Sequence, residues 1–204
     1  MTEETRANTR ITGTLRSVDG KGVVRMEGSY DTGIDDLWSA LTHAQRLARW
    51  IADVEGDLRL GGAFRATFTS GWEGPGRVDA CEPPRYLLVT MAPGREEETV
   101  IEAVLVADGD QTRLVVEERG IPLEELAAHG AGWQAHLEDL AAHGAGREPT
   151  DWRTPMDRAH TLVSGADRPP RVTGGCGAEQ VIQAMRPARF ERATSASAGQ
   201  RSIP

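Results

Sequence analysis

An alternation of apolar and polar residues is the first clear pattern along the chain. Between residues 22 and 30, Val24, Met26 and Tyr30 fall on one side of an extended segment, which predicts a strand with one buried face. The apolar spacing then becomes helical between residues 34 and 42, and again in the few residues that follow. We therefore expect one strand followed by two short helices.

Six short β-prone segments come next, and turn residues separate them. The segments are Val54 to Leu58, Ala63 to Phe68, Gly76 to Cys81, Tyr86 to Met91, Thr99 to Val106 and Thr112 to Glu118. Glycine and proline between them, as in Gly61-Gly62 and Pro93-Gly94, supply the backbone angles that chain reversals need. This pattern is typical of an antiparallel meander and, with the first strand, predicts a sheet of six or seven strands.

The longest helical pattern runs from Leu123 to Ala142. Leu126, Trp133, Leu137 and Leu140 fall on one stripe of this helix, and we expect that stripe to face the sheet.

The composition of the chain changes near residue 151. From Ser164 to Pro204 there are six arginines against three acidic residues, whereas the whole chain has a formal net charge of −8. We predict a partly ordered N-terminal segment at residues 1–20, one domain at 21–150, and a basic, low-complexity tail at 151–204 that is largely disordered.

Charge and hydropathy exclude several classes of function. A net charge of −8 argues against nucleic-acid binding, which depends on basic residues that neutralise phosphates. No apolar run approaches the roughly 20 residues that a spanning helix needs, so we expect no membrane insertion. The polar start of the chain, and the presence of only two cysteines that share no motif, favour a cytoplasmic protein.

Local motifs appear in the same order as the predicted elements. Leu37 to Thr42, followed by Leu47 to Trp50, is similar to a family motif of the form V-W-x-A-L-T and then L-x-x-W. Asp57 to Phe64 resembles the D-x-R-x-G-G-x-F turn of the same family. Further matches are Glu82-Pro83-Pro84, Gln111 to Leu114, Gly120-Ile121-Pro122 and Gly132-Trp133. Together, over about residues 10 to 145, they resemble the activator of heat-shock-protein-90 ATPase homologue-like branch of the SRPBCC superfamily, related to START and birch-allergen folds.

The resemblance implies an α+β helix-grip fold. In that fold a curved antiparallel sheet of six or seven strands has two short helices after strand 1 and a long C-terminal helix packed across it. It also implies a small-molecule-binding protein that holds an apolar or amphipathic ligand between sheet and helix, as a monomer or homodimer without a cofactor. The alternatives are a module that interacts with a chaperone ATPase, and an enzyme of the polyketide cyclase or hydratase kind that uses Glu118 or His136 as acid and base.

The small residues of the long helix do not decide whether a cavity exists beside it. Gly130, Ala131, Gly132 and Ala135 thin the long helix beside Trp133. They either leave volume for a ligand or allow the helix to approach the sheet closely.

Strand alternation raises a second question, about acidic residues. If Val116 faces the helix, Glu118 also points inward, where burial would raise its pKa and suit it as a general base or polar anchor. The alternative is that Glu102, Glu117 and Glu118 lie in water or pair with nearby arginines.

Histidine and tryptophan residues complete the set of candidates. His129, His136 and His143 are seven residues apart, roughly 10 Å along a helix, so they cannot share a metal ion. We interpret Trp38 and Trp133 as core anchors, and we expect Trp50 and Trp72, which lie near turns, to line the pocket. The candidate cavity residues are Trp50, Phe64, Phe68, Trp72, Glu102, Val116, Glu118, Trp133, His136 and Leu137.

Overall fold

The structure is a computed structural model of the chain, and it describes residues 10 to 147. In chain order its elements are β1 (Thr12–Val18), β2 (Lys21–Tyr30), α1 (Ile34–Thr42), α2 (Ala44–Leu47), β3 (Ala52–Gly56), β4 (Ala63–Phe68), β5 (Glu73–Glu82), β6 (Tyr86–Met91), β7 (Thr99–Asp108), β8 (Gln111–Ile121), a 3-10 turn (Leu123–Glu125) and α3 (Leu126–Gly144).

The strands form one antiparallel sheet in the order β1-β2-β8-β7-β6-β5-β4-β3. The early strand β2 pairs with the last strand, β8, with Met26 opposite Val116. Inward residues of β8 such as Leu114 and Val116 are buried, whereas the residues between them are only half-buried. This alternation gives the sheet one apolar face, and α3 packs against that face. The predicted α+β helix-grip architecture is confirmed.

The sheet has eight strands, not the six or seven that the sequence predicts. The additional strand is β1, which lies within the predicted N-terminal segment of residues 1–20. All seven of its residues are exposed, so it has no alternation of apolar and polar positions to reveal it. Pairing with β2 along its whole length, from Thr12 opposite Glu27 to Val18 opposite Lys21, defines the strand instead.

The core is formed by the apolar face of the sheet together with α1 and α3. Leu37 and Leu41 of α1 are buried, as are Trp133, Leu137 and Leu140 of α3. Full burial of one such aliphatic side chain contributes about 1.5 to 3 kcal/mol. Three members of the predicted helical stripe are thus core residues, and the fourth, Leu126, packs against the core from a partly exposed position.

The predicted basic tail, residues 151–204, lies outside the described residues. Within residues 10 to 147, no helix is long and apolar enough to cross a membrane.

Candidate functional site

A cavity of about 350 Å³ lies between α3 and the sheet. Its floor includes Thr99 and Ile101 of β7 and Glu118 of β8, and its roof includes Trp133 and His136 of α3. The turn between β4 and β5 closes one side, and the junction between β8 and α3 borders another.

Aromatic rings form a continuous wall of this cavity. The rings of Trp72 and Phe68 meet edge to face, with centroids 5.6 Å apart. Phe68 in turn lies 6.0 Å from the His136 ring, and His136 lies 6.3 Å from the Trp133 ring. These separations suit edge-to-face aromatic contacts. Trp133 is buried deep in the wall, whereas Trp72 is 38% exposed at the mouth.

Two glycines of α3 have different roles. A Cβ atom on Gly130 would lie 2.7 Å from Cδ2 of Leu15, so this glycine allows β1 to approach the helix. Gly132 lines the cavity, and a Cβ atom there would meet nothing within 4 Å. The small residues therefore both permit close packing and leave open space, at positions two residues apart.

The polar part of the cavity is centred on Glu118. Its side chain is almost completely buried, and Oε2 accepts hydrogen bonds from Nε1 of Trp133 at 2.7 Å and from Nδ1 of His129 at 3.0 Å. Burial alone would raise the pKa of this carboxyl group. Hydrogen bonds from His129, Trp133 and Thr99, together with the charge of His129, outweigh burial and lower the pKa.

His129 is the cationic partner of this carboxylate. The hydrogen bond to Glu118 raises the pKa of the imidazole against the opposing effect of burial, and the charges of Glu118 and Glu125 add to the increase. The second ring nitrogen, Nε2, lies 3.6 Å from Oε2 of Glu125. Both pKa shifts favour the charged forms of the pair, which joins β8 to α3.

The structure corrects two expectations about acidic residues. Glu118 does point inward, but its pKa is lowered rather than raised, because three donors surround the carboxylate. Glu102 does not line the cavity. It lies on the opposite face of the sheet beside Glu117, and Arg119 donates to both at 2.6 Å and 3.1 Å.

Five candidate residues from the sequence come together around the cavity: Phe68, Trp72, Glu118, Trp133 and His136. Four others do not. Trp50, Val116 and Leu137 are buried in the core. Phe64 packs over Gly76, where a Cβ atom would lie 2.3 Å from the ring.

The position of Trp50 differs from the one predicted. Trp50 is a core residue whose indole N–H donates to the carbonyl oxygen of Ala40 at 3.1 Å, and it does not line the cavity. Trp133, named both as a core anchor and as a cavity candidate, is buried and forms part of the cavity roof.

Sequence reasoning missed His129 as a cavity residue. It precedes Trp133 by four residues, one helical turn, and therefore shares its face of α3. That spacing was available as a signal. Other lining residues that were not predicted include Met91, Glu97, Thr99, Ile101 and Glu125. Among the described residues, no group of three His, Cys, Asp or Glu side chains is arranged to hold a metal ion.

Solved structures with the same fold include two that are at least 26% identical to this chain. The crystal structure of CalU16 from Micromonospora echinospora is 26% identical, covers 77% of this chain and 97% of CalU16, and has a TM-score of 0.59. DynU16, a protein of the dynemicin biosynthetic locus, is 28% identical, covers 65% of this chain and 51% of DynU16, and has a TM-score of 0.58.

A protein from Bordetella parapertussis, 24% identical, is similar in fold with a TM-score of 0.60 and covers 86% of this chain and 100% of its own. A comparison with curated protein sequences finds no match. Residues 31–145 match the family model described as Activator of Hsp90 ATPase homolog 1-like protein. The chain therefore belongs to the Activator of Hsp90 ATPase homolog 1-like family of the SRPBCC superfamily.

Proposed function

We propose that the protein binds an apolar or amphipathic small molecule in the cavity between α3 and the sheet. The cavity itself carries this proposal: its volume of about 350 Å³ falls within the range of about 300 to 1,000 Å³ that is usual for small-molecule pockets. Its wall of aromatic rings, with Met91 and Ile101, offers apolar surface to a ligand.

The polar groups of the cavity suit an amphipathic ligand. The Glu118 and His129 pair lies beside the aromatic wall, because Trp133 of that wall donates to Glu118. A ligand with one polar end can keep that end hydrated or hydrogen-bonded while it buries the rest. The origin of DynU16 in a biosynthetic locus is consistent with a role beside small molecules.

Acid–base catalysis at Glu118 is less well supported than binding. A carboxylate with a lowered pKa is a weak base, and its oxygens already accept hydrogen bonds from His129 and Trp133. Interaction with a chaperone ATPase rests on the family name alone.

Calorimetric titration of the full chain with a neutral apolar probe, 2-(1-naphthyl)ethanol, tests the proposal. Gly132→Leu places a side chain in the open space of the cavity, and we expect it to weaken binding at least tenfold, or about 1.4 kcal/mol. Ala127→Leu makes a comparable change on an exposed part of α3 and serves as the control.

Native mass spectrometry with a lipid and aromatic library extends the test beyond this one probe. The proposal fails if no member of the library binds, or if Gly132→Leu and Ala127→Leu bind the naphthyl probe equally well.

A further inference from the structure

We propose that the cavity selects a cationic ligand, an amine carried on an apolar aromatic body, and holds the amine at the mouth between Glu97 and Glu125. This inference rests on the proposed function and names the class of ligand.

The backbone brings these two acidic residues to the same rim. Gly120, near the end of β8, has a positive φ of 94°, and a Cβ atom there would lie 2.8 Å from the carbonyl oxygen of Glu98. The loop before β7 therefore runs directly against the junction between β8 and α3. Glu97 comes from that loop and Glu125 from the junction, and both line the cavity.

The three carboxylates that line the cavity outnumber the positive charges beside them. His129 lies 3.0 Å from Glu118 and 3.6 Å from Glu125, so its one charge is shared between two carboxylates. Among the described residues, no lysine or arginine lines the cavity. Arg95 lies 3.7 Å from Glu97, but both side chains are more than half exposed, and a pair of this kind contributes only about 0 to 1 kcal/mol.

The surface next to the mouth has the same sign of charge. A shallow recess beside the cavity is lined by Glu96, Glu97 and Glu124, with Lys21 as its basic residue. The potential at the mouth is therefore negative, which attracts cations and repels anions.

The aromatic wall also favours a positively charged ligand. The faces of aromatic rings attract cations, and tryptophan does so most strongly. Trp72 lies at the mouth, and Trp133 lies farther inside. The acidic rim alone would not define a site. It acts on a ligand whose apolar body the aromatic wall already holds.

Three probes that share one ring system but differ in charge test the inference: 2-(1-naphthyl)ethylamine, 2-(1-naphthyl)ethanol and 1-naphthaleneacetic acid. With the full chain at pH 7 and low salt, we expect the amine to bind at least tenfold more tightly than the acid, with the alcohol between them. The preference for the amine should shrink at 0.5 M NaCl, because salt screens exposed charges.

The double variant Glu97→Gln/Glu125→Gln should lose most of the preference for the amine and still bind the alcohol. Glu55→Gln/Glu82→Gln removes the same charge from exposed positions that do not line the cavity, and it should keep the preference. If the alcohol binds but the amine has no advantage, or if the two double variants behave alike, the inference is wrong and the proposed function stands. If neither the amine nor the alcohol binds, the inference is wrong, and the proposed function is wrong as well if no member of the lipid and aromatic library binds.

Discussion

Glu118 on β8 accepts a hydrogen bond of 2.7 Å from the indole N–H of Trp133 on α3. The same oxygen accepts a second hydrogen bond from His129, one helical turn earlier. One carboxylate thus links the sheet to the long helix beside the cavity. Its contribution to folding can be measured separately from any role in binding.

Glu118→Gln should destabilise the protein by about 1 to 3 kcal/mol, because it removes the charge that accepts hydrogen bonds from Trp133 and His129. The measurement is the free energy of unfolding from chemical denaturation. Glu138→Gln, at an exposed position of α3, is the control. A loss no larger than in the control would contradict a structural role for the carboxylate.

The pair also predicts how stability depends on pH. The pKa of His129 is raised above its ordinary value of 6.5, so its stabilising effect is complete below that pH and is lost as pH rises through the folded pKa. The pKa of Glu118 is lowered below 4.5, so its effect is complete above pH 4.5 and is lost as pH falls through the folded pKa. Both contributions are complete only between these two values.

His129→Gln should therefore abolish part of the decline in stability above pH 6.5, which unfolding curves at a series of pH values would reveal. His43→Gln replaces an exposed histidine on a different part of the chain and should leave the decline unchanged. Identical pH profiles for the wild type and His129→Gln would rule out the ion pair as the source of the decline in stability.

The two glycines of α3 should respond differently to alanine. Gly132→Ala should stabilise the protein by about 0.5 to 1 kcal/mol, because alanine favours the helix and its Cβ meets no other atom within 4 Å. Gly130→Ala should gain less or lose stability, because its Cβ would press on Leu15. Thermal or chemical denaturation measures both, and equal effects would contradict the two roles assigned to these glycines.

Trp50 and Trp72 offer a test of which tryptophan belongs to the cavity. Trp50→Phe should lower stability by about 1 to 3 kcal/mol, because a buried carbonyl loses its donor, and should leave naphthylethanol binding intact. Trp72→Ala should weaken that binding, because it removes the ring at the mouth. The reverse assignment of the two effects would mean that the cavity is placed wrongly.

Much of the fold could be predicted because the buried faces of its elements are periodic. β4 and β6 have the predicted bounds, and α3 ends two residues beyond the prediction. β1 could not be found this way, because hydrogen bonds to β2 define it and no buried side chains do. The sequence signal for this hairpin was its two-residue turn, Asp19-Gly20, in which both residues have a positive φ.

The site was predictable only in part, for a related reason. Alternation along β8 gives the inward direction of Glu118, but its protonation depends on donors from α3 and β7 that local pattern cannot bring together. Trp50 lies near a turn, as a pocket residue would, yet its indole N–H is directed to Ala40 in the core. Proximity in three dimensions, which a single sequence does not encode locally, decides both cases.

The β4–β5 hairpin shapes the mouth of the cavity, whereas the central strands of the sheet form its floor. Phe68 ends β4 and Trp72 lies in the exposed turn, whose Gly71 has a φ of 97°, while the floor belongs to the central strands β7 and β8. Substitutions or insertions in this turn would reshape the mouth without replacing a buried core residue. The proposed choice of ligand could therefore change through this one hairpin while the buried core stays intact.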